Sequence, residues 1–221
     1  MTTELIKTAD GSDTLFVREL DEHYHSTFGA IQESLHVFIK SGLNLKNEPK
    51  LTIFEVGFGT GLNVFLTLLD SLKSGQNIHY ITIEKYPIPR NTWESLNYPK
   101  LLQEDSTEIF RKIHLSPWNE KVRLTENFVL TKILGDMSSF DFDRLPLFDL
   151  IYFDAFSPEK QPELWETVIF NKLYSNTLPL GILVTYCSKG IVRRSLKESG
   201  YVVERIPGPP GKREILRANK S

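Results

Sequence analysis

The stretch Leu51 to Asn63, LTIFEVGFGTGLN, couples an apolar β-rich run to three glycines at alternate positions and then to a helix-like segment. From there onward short β-rich runs alternate with segments of helical spacing, the pattern of an α/β sheet with parallel strands and helices on its faces. Strands are expected at 51–56, 78–84, 128–135, 148–154, 181–187, 201–206 and 213–218, with helices over 61–73, 88–97, 99–113, 163–176 and 189–199. PGPPG, which separates the last two strands, is too short for a parallel crossover, so those strands should form an antiparallel hairpin. Upstream, residues 24–43 read as a helix with Ile31, Leu35, Phe38 and Ile39 on one face and Gly42 as its cap.

A mostly parallel seven-stranded sheet that closes on an antiparallel hairpin resembles the Rossmann-like methyltransferase fold more than a dinucleotide-binding dehydrogenase. At 221 residues and 40% hydrophobic, the chain suits one globular domain, expected at 51–221, behind an N-terminal extension, 1–50, that packs over the cleft. The net charge of −2 announces no nucleic-acid or membrane partner globally, so any such partner must be met locally. One cysteine, Cys187, excludes an internal disulfide framework. The polar N-terminus carries no signal-type apolar segment, and no apolar run approaches the roughly 20 residues of a bilayer span. The expectation is a soluble cytoplasmic protein with no membrane partner.

Gly57, Gly59 and Gly61 fall between strand and helix, where glycine permits positive φ and close ligand approach beside free helix N–H groups. A dinucleotide fingerprint from Gly57 requires glycine at 62, and the chain has Leu62. The spelling is G-x-G-x-G preceded by Glu55, which resembles the first motif of S-adenosylmethionine methyltransferases, where the acid orients the loop or meets the methionyl ammonium. Glu84 ends the next strand, where a carboxylate can accept both ribose hydroxyls. Asp136 follows a third strand, and in such methyltransferases an acid there receives the adenine amino group. For either acid alone, a solvated charge is the plain alternative.

In DLIYFDAFSPEK the apolar run stops at Asp154. The ligand crevice of an open α/β sheet lies beyond the carboxyl ends of its strands, so Asp154 should face the reactive end of the cofactor. Several amine-directed methyltransferases carry a D/N-P-P-Y-type segment here, and DAFSP resembles it, with Asp154 for the nitrogen and Phe156 for the ring. Methyl transfer needs a free nitrogen lone pair, and a carboxylate beside the amine can accept the proton that hides it. The competing role for Asp154 is a cap on the following turn.

The segments from Tyr24 to Phe38, Glu55 to Asn63, Phe153 to Trp165, Thr185 to Leu196 and Gly211 to Leu216 together resemble the methyltransferase half of MnmC, the bifunctional tRNA enzyme that completes 5-methylaminomethyl-2-thiouridine at the wobble position. The resemblance implies that Glu55, Gly57, Gly59 and Gly61 line a site for S-adenosyl-L-methionine, and that Asp154 is the base acting on the primary amine of 5-aminomethyl-2-thiouridine. It also implies no FAD in this chain, which resembles stand-alone homologues without the oxidase half, so another protein must make the aminomethyl substrate.

A tRNA anticodon loop needs cations. Residues 189–221 hold nine lysines and arginines against three glutamates, a surplus of six, so the rest of this chain of net charge −2 carries −8. Arg193, Arg194, Lys212 and Arg213 are the candidate contacts there, and Tyr24, Phe156 and Tyr186 the candidates to stack on a splayed wobble base. A solvated helix face and ordinary core aromatics are the structural alternatives. The histidines show no metal spacing, so no metal is expected, and Cys187 reads as a small buried thiol. A methyltransferase of the same fold acting on a protein or small-molecule amine, and a binding module without catalysis, stay open, as does the oligomeric state.

Overall fold

The structure, a computed structural model, describes residues 2–102 and 106–221. The chain opens with β1 (Thr3–Lys7), β2 (Asp13–Val17) and β3 (Glu22–His23), a small antiparallel sheet in that order. After α1 (Ala30–Ser34), which widens into a π-helical stretch at Leu35–Lys40, comes the main sheet. Its strands are β4 (Lys50–Val56), β5 (Asn77–Glu84), β6 (Lys121–Thr125), β7 (Phe128–Leu134), β8 (Phe148–Phe153), β9 (Thr177–Thr185), β10 (Val202–Pro207) and β11 (Glu214–Asn219). The spatial order is β10-β11-β9-β8-β4-β5-β7-β6. The five central strands run parallel, and β10 and β11 form the expected antiparallel hairpin, with β11 inserted beside β9.

The sheet has eight strands rather than seven because β6, KVRLT, pairs antiparallel with β7 at the edge. Its half-exposed, charged sequence lacks the apolar run that marks the central strands, as suits a sheet edge. The helix expected over 24–43 is also corrected. Tyr24 follows β3, the helix begins only after Gly29 at φ 152°, Leu35 is exposed, and Gly42 at φ −120° is no left-handed cap. The helix ends instead with the Ser41 N–H donating to the carbonyl of His36, five residues back. The segment 88–97 is helical only at α2 (Leu62–Ser74)'s successor α3 (Arg90–Ser95). The segment 99–113 divides into α4 (Tyr98–Leu102) and α5 (Thr107–Leu115), with 103–105 outside the described residues. The segment 163–176 is a 3-10 turn, Pro162–Trp165, followed by α6 (Thr167–Ser175), and α7 (Gly190–Glu198) sits where a helix was expected.

Side chains of β8 alternate between two cores: Leu150 and Tyr152 join α2 and the N-terminal segment, while Ile151 and Phe153 join α6 and α7. Phe65 of α2 and Phe170 of α6 are fully buried on the opposite faces, each contributing on the order of 1.5–3 kcal/mol of apolar burial. Leu15 and Phe38 share the α2-side core, so the N-terminal segment is packed onto the main sheet. No helix of the described residues is long and apolar enough to cross a membrane.

Candidate active site

β4 delivers the glycine loop to the carboxyl end of the sheet, directly against the end of β8. Gly57 has φ +92°, and a Cβ there would lie 2.6 Å from the Asp154 carbonyl oxygen, so any side chain would separate the loop from β8. At Gly59, φ is +48° and a Cβ would reach the Tyr24 ring at 3.0 Å. The loop is held from three sides. Glu84 accepts the Gly59 N–H at 3.1 Å and the Tyr86 N–H at 2.8 Å. His25 Nε2 meets Thr60 Oγ1 at 2.8 Å, and His114 Nε2 donates to the Thr60 carbonyl at 3.1 Å. Burial pushes His25 down to about 4, and burial with Lys132 nearby pushes His114 down to about 3, so both rings are neutral at pH 7.

A cavity of about 550 Å³ opens beside this loop. Of the residues expected to make a site, Tyr24, Gly57, Gly59, Glu84, Asp136, Asp154, Phe156, Tyr186 and Lys212 line it. Glu55, Gly61, Arg193, Arg194 and Arg213 do not. Gly61 turns the chain into α2 from a left-handed conformation at φ +73°, with His114 against its Cα. Glu55 is fully buried under the loop, a correction to its reading as a lining residue: β4 alternation turns its side chain into the protein. Burial without a cationic partner drives its carboxyl well above the usual range. Asp136 reaches the wall but is already bonded to Lys85 Nζ at 2.7 Å and to the Ser138 N–H at 2.9 Å, which hold it down at about 2.

Asp154 is where the geometry concentrates. Its N–H donates to the Val56 carbonyl at 3.0 Å, the last rung of the parallel β4–β8 ladder, and the chain then leaves the sheet. Asn63 Nδ2, in the first turn of α2, donates to Asp154 Oδ2 at 2.8 Å. At the floor of the cavity, enclosed by protein yet open to that space, the Asp154 carboxyl is pushed up to about 7, chiefly by lost hydration and further by Glu33, against the Asn63 bond and Lys212. The following turn is braced by neighbours rather than by Asp154 acting as its cap. Gln161 accepts the Phe156 N–H at 3.1 Å, Trp165 Nε1 donates to the Phe156 carbonyl at 2.8 Å, Tyr186 donates to the Ala155 carbonyl at 2.8 Å, and Glu22 receives the Ser157 hydroxyl at 2.8 Å.

Aromatic walls rise beside the carboxylate. Tyr24 meets Phe156 edge to face at 5.0 Å, and Lys212 Nζ lies 4.0 Å from the Tyr186 ring centre. Lys212 is also paired with buried Glu33 at 2.5 Å, tying the C-terminal hairpin to α1 above the cavity. Glu33, His25 and Asn63 are site residues the sequence reading missed. Asn63 lies 91 positions from Asp154, and no local spacing links them. A carboxyl poised near neutrality beside a polar, aromatic-walled cavity can accept a proton from a bound nucleophile. Among the described residues no group of three or more histidine, cysteine, aspartate or glutamate side chains could hold a metal ion.

Residues 101–221 match the family described as S-adenosyl-L-methionine-dependent methyltransferase. The chain is 33% identical over 215 residues to the tRNA 5-methylaminomethyl-2-thiouridine biosynthesis bifunctional protein MnmC of Leptospira borgpetersenii serovar Hardjo-bovis, covering 91% of this chain and 32% of that protein. It is 29% identical over 215 residues to the protein of the same name from Pseudomonas entomophila, covering 90% and 32%. The chain thus spans about a third of the length of the curated relatives it matches. The crystal structure of MnmC2 from Aquifex aeolicus superimposes with a TM-score of 0.82 at 28% identity, covering all of this chain and 70% of the other.

Proposed function

The chain belongs to the S-adenosyl-L-methionine-dependent methyltransferase family, and from that premise we propose that it methylates the primary amine of 5-aminomethyl-2-thiouridine at the tRNA wobble position, giving 5-methylaminomethyl-2-thiouridine. The carrying observation is the convergence, in one cavity, of the glycine loop and a carboxyl held at about 7, with Gly57 packed against the Asp154 backbone.

The residues fit S-adenosyl-L-methionine. At about 550 Å³ the cavity has the size of a cofactor site, its wall is backbone at Gly57 and Gly59, and the Glu84 carboxylate retains lone pairs for ribose hydroxyls beyond its two N–H bonds. Asp136, paired with Lys85 and lining the cavity, is the acid we assign to the adenine amino group. When bound, the donor supplies an activated methyl group on a sulfonium. Asp154 takes the proton from the substrate amine, so that the nitrogen lone pair is free for the methyl carbon. Lys212, fixed over the Tyr186 ring, disfavours a second cation and so favours the neutral amine. Tyr24, Phe156 and Tyr186 offer faces and edges for a splayed pyrimidine, and residues 1–50 act as one wall of the cleft through Tyr24 and His25. A tRNA substrate places the reaction in the cytoplasm, and neither FAD nor a metal has a role in this half-reaction.

The decisive experiment incubates the protein with methyl-labelled donor and tRNA bearing 5-aminomethyl-2-thiouridine, followed by nucleoside analysis. Label in the wobble nucleoside is expected, with loss of turnover but retained donor binding in Asp154→Ala. Labelled donor consumed with no label in that nucleoside overturns the substrate assignment. One observation favours a second reading, a small cationic amine as substrate: six acids, Glu22, Glu33, Glu84, Asp136, Asp154 and Glu163, line the cavity against Lys85, Lys160 and Lys212. Methylation of free polyamines and not of tRNA in the same assay selects it.

A further inference from the structure

We propose that Glu55 is a positioning residue for Asp154, acting through the side-chain amide of Asn63. The proposal rests on the assignment of Asp154 as the base and extends it to the layer beneath the cavity floor. Both carboxyl oxygens of Glu55, Asn63 Oδ1, Tyr80 Oη and Thr82 Oγ1 are buried together without a hydrogen bond of normal geometry. Glu55, Tyr80 and Thr82 are inaccessible to solvent, and Asn63 is 3% exposed. Five orphaned polar atoms in one pocket of the interior are costly unless they serve one another.

Their chemistry admits a consistent assignment. Thr82, Asn63 and Tyr80 all face the Glu55 carboxyl, and the two hydroxyls can donate to its oxygens. Asn63 Oδ1 can only accept, and the donor available to it is a proton on Glu55. Asn63 has its other end committed, since Nδ2 donates to Asp154 Oδ2 at 2.8 Å. A neutral Glu55 therefore fixes which way the Asn63 amide points, and that amide aims the Asp154 carboxylate. Removal of the Glu55 proton would add a negative charge beneath an already desolvated Asp154. The lone surface of the Asp154 carboxylate left free by Asn63 faces the cavity, where the substrate amine must come. Other groups acting on Asp154 are Glu33 and Lys212 from above, with Tyr186 at the end of β9 and Tyr80 on β5.

The test reads Asp154 itself in the donor-free full chain: a 13C NMR pH titration of aspartate-labelled protein, with the Asp154 signal identified by its loss in Asp154→Asn. In the wild type it should titrate near 7. Asn63→Leu removes the donor to the ionised form and should raise the midpoint by about one unit. Glu55→Leu should follow it in the same direction, because the amide is then free to turn, while Glu55→Gln, which keeps a donor and no charge, should leave the midpoint within a few tenths. A downward shift in Glu55→Gln would show that Glu55 is ionised, and an unmoved midpoint in Glu55→Leu would show no coupling; either overturns the proposal. Wild type and Glu55→Gln also carry an infrared test that needs no Leu variant: at pH 7.5 their difference should contain the carbonyl stretch of a protonated carboxylic acid, and carboxylate bands alone overturn the assignment. Failure to methylate tRNA would refute the substrate and leave these titrations unchanged, so the two readings fail separately.

Discussion

Asp154 feels its burial in two opposite ways. Its carboxyl sits at about 7 in the folded protein against an unfolded value near 3.8, so between those pH values the folded state holds a proton that the unfolded chain has lost. Stability contributed by the neutral carboxyl is complete below about pH 4 and declines as pH rises through 7. Asp154→Asn should therefore raise Tm at pH 8, where the wild type buries a charge, and change it little near pH 3.5, where the carboxyl is largely protonated in the folded and unfolded states alike. Equal shifts at both values would place the carboxyl elsewhere on the pH scale. The chemistry needs the opposite form. In its proposed role as base, Asp154 must be ionised in the free enzyme, so kcat/KM should fall tenfold per unit below about pH 7, a limb checked by a pH–rate profile with ionic strength held fixed. The position of this residue was legible in the sequence, because an apolar run that stops on a carboxylate marks the carboxyl end of a sheet strand, where the glycine loop also ends. Its partner Asn63 was not, because only the packing of α2 against β8 brings them together.

The glycine loop shows the same division at the level of the element. Three alternate glycines after a strand announce a backbone-lined turn, and Gly57, Gly59 and Gly61 all take positive φ. What fixes that turn lies far along the chain: His25 after β3 and His114 on α5 converge on Thr60. A lone histidine carries no sequence signal for such a contact, since nothing in the spacing of residues 25, 60 and 114 brings them together. The N-terminal segment misread as one helix illustrates why. Its apolar spacing is helical, but Gly29 and the pairing of β3 with β2 delay the helix until Ala30, which leaves Tyr24 and His25 in a bend outside the helix, where both reach the loop. Thr60→Val keeps the volume and removes the Oγ1 partner of His25, leaving a buried ring nitrogen unpaired. Urea denaturation should show a loss of about 1–3 kcal/mol with an unchanged slope. Donor affinity should fall with it, because the loop that lines the cavity loses a support. An effect on stability without one on donor affinity would mean that the loop conformation survives the change.

Across the whole molecule, charge is sorted more finely than the count of residues 189–221 suggests. Of the nine cations there, Lys189 pairs with Glu159, Arg205 with Glu214, Lys212 with Glu33 and Arg217 with Glu204. Lys220 is turned onto the carbonyls of Tyr174 and Thr177. Among the described residues, Arg193, Arg194, Lys197 and Arg213 have no acidic partner within ion-pair distance, and these four are the cations free to meet phosphate. None needs to enter the cavity to do so, which is the division of labour expected when backbone contacts position a nucleic acid and a separate pocket reads one base. Each phosphate neutralised by such a side chain releases counterions, so replacing Arg193, Arg194 or Arg213 singly by alanine should reduce the magnitude of the log Kd against log salt slope for tRNA by up to about one. The turnover of bound substrate should stay within about twofold, because Asp154 and the loop are untouched. Binding measured across a salt series, beside single-turnover methylation at saturating protein, separates the two effects. A salt slope that no arginine replacement changes would move the tRNA contact away from this edge of the molecule.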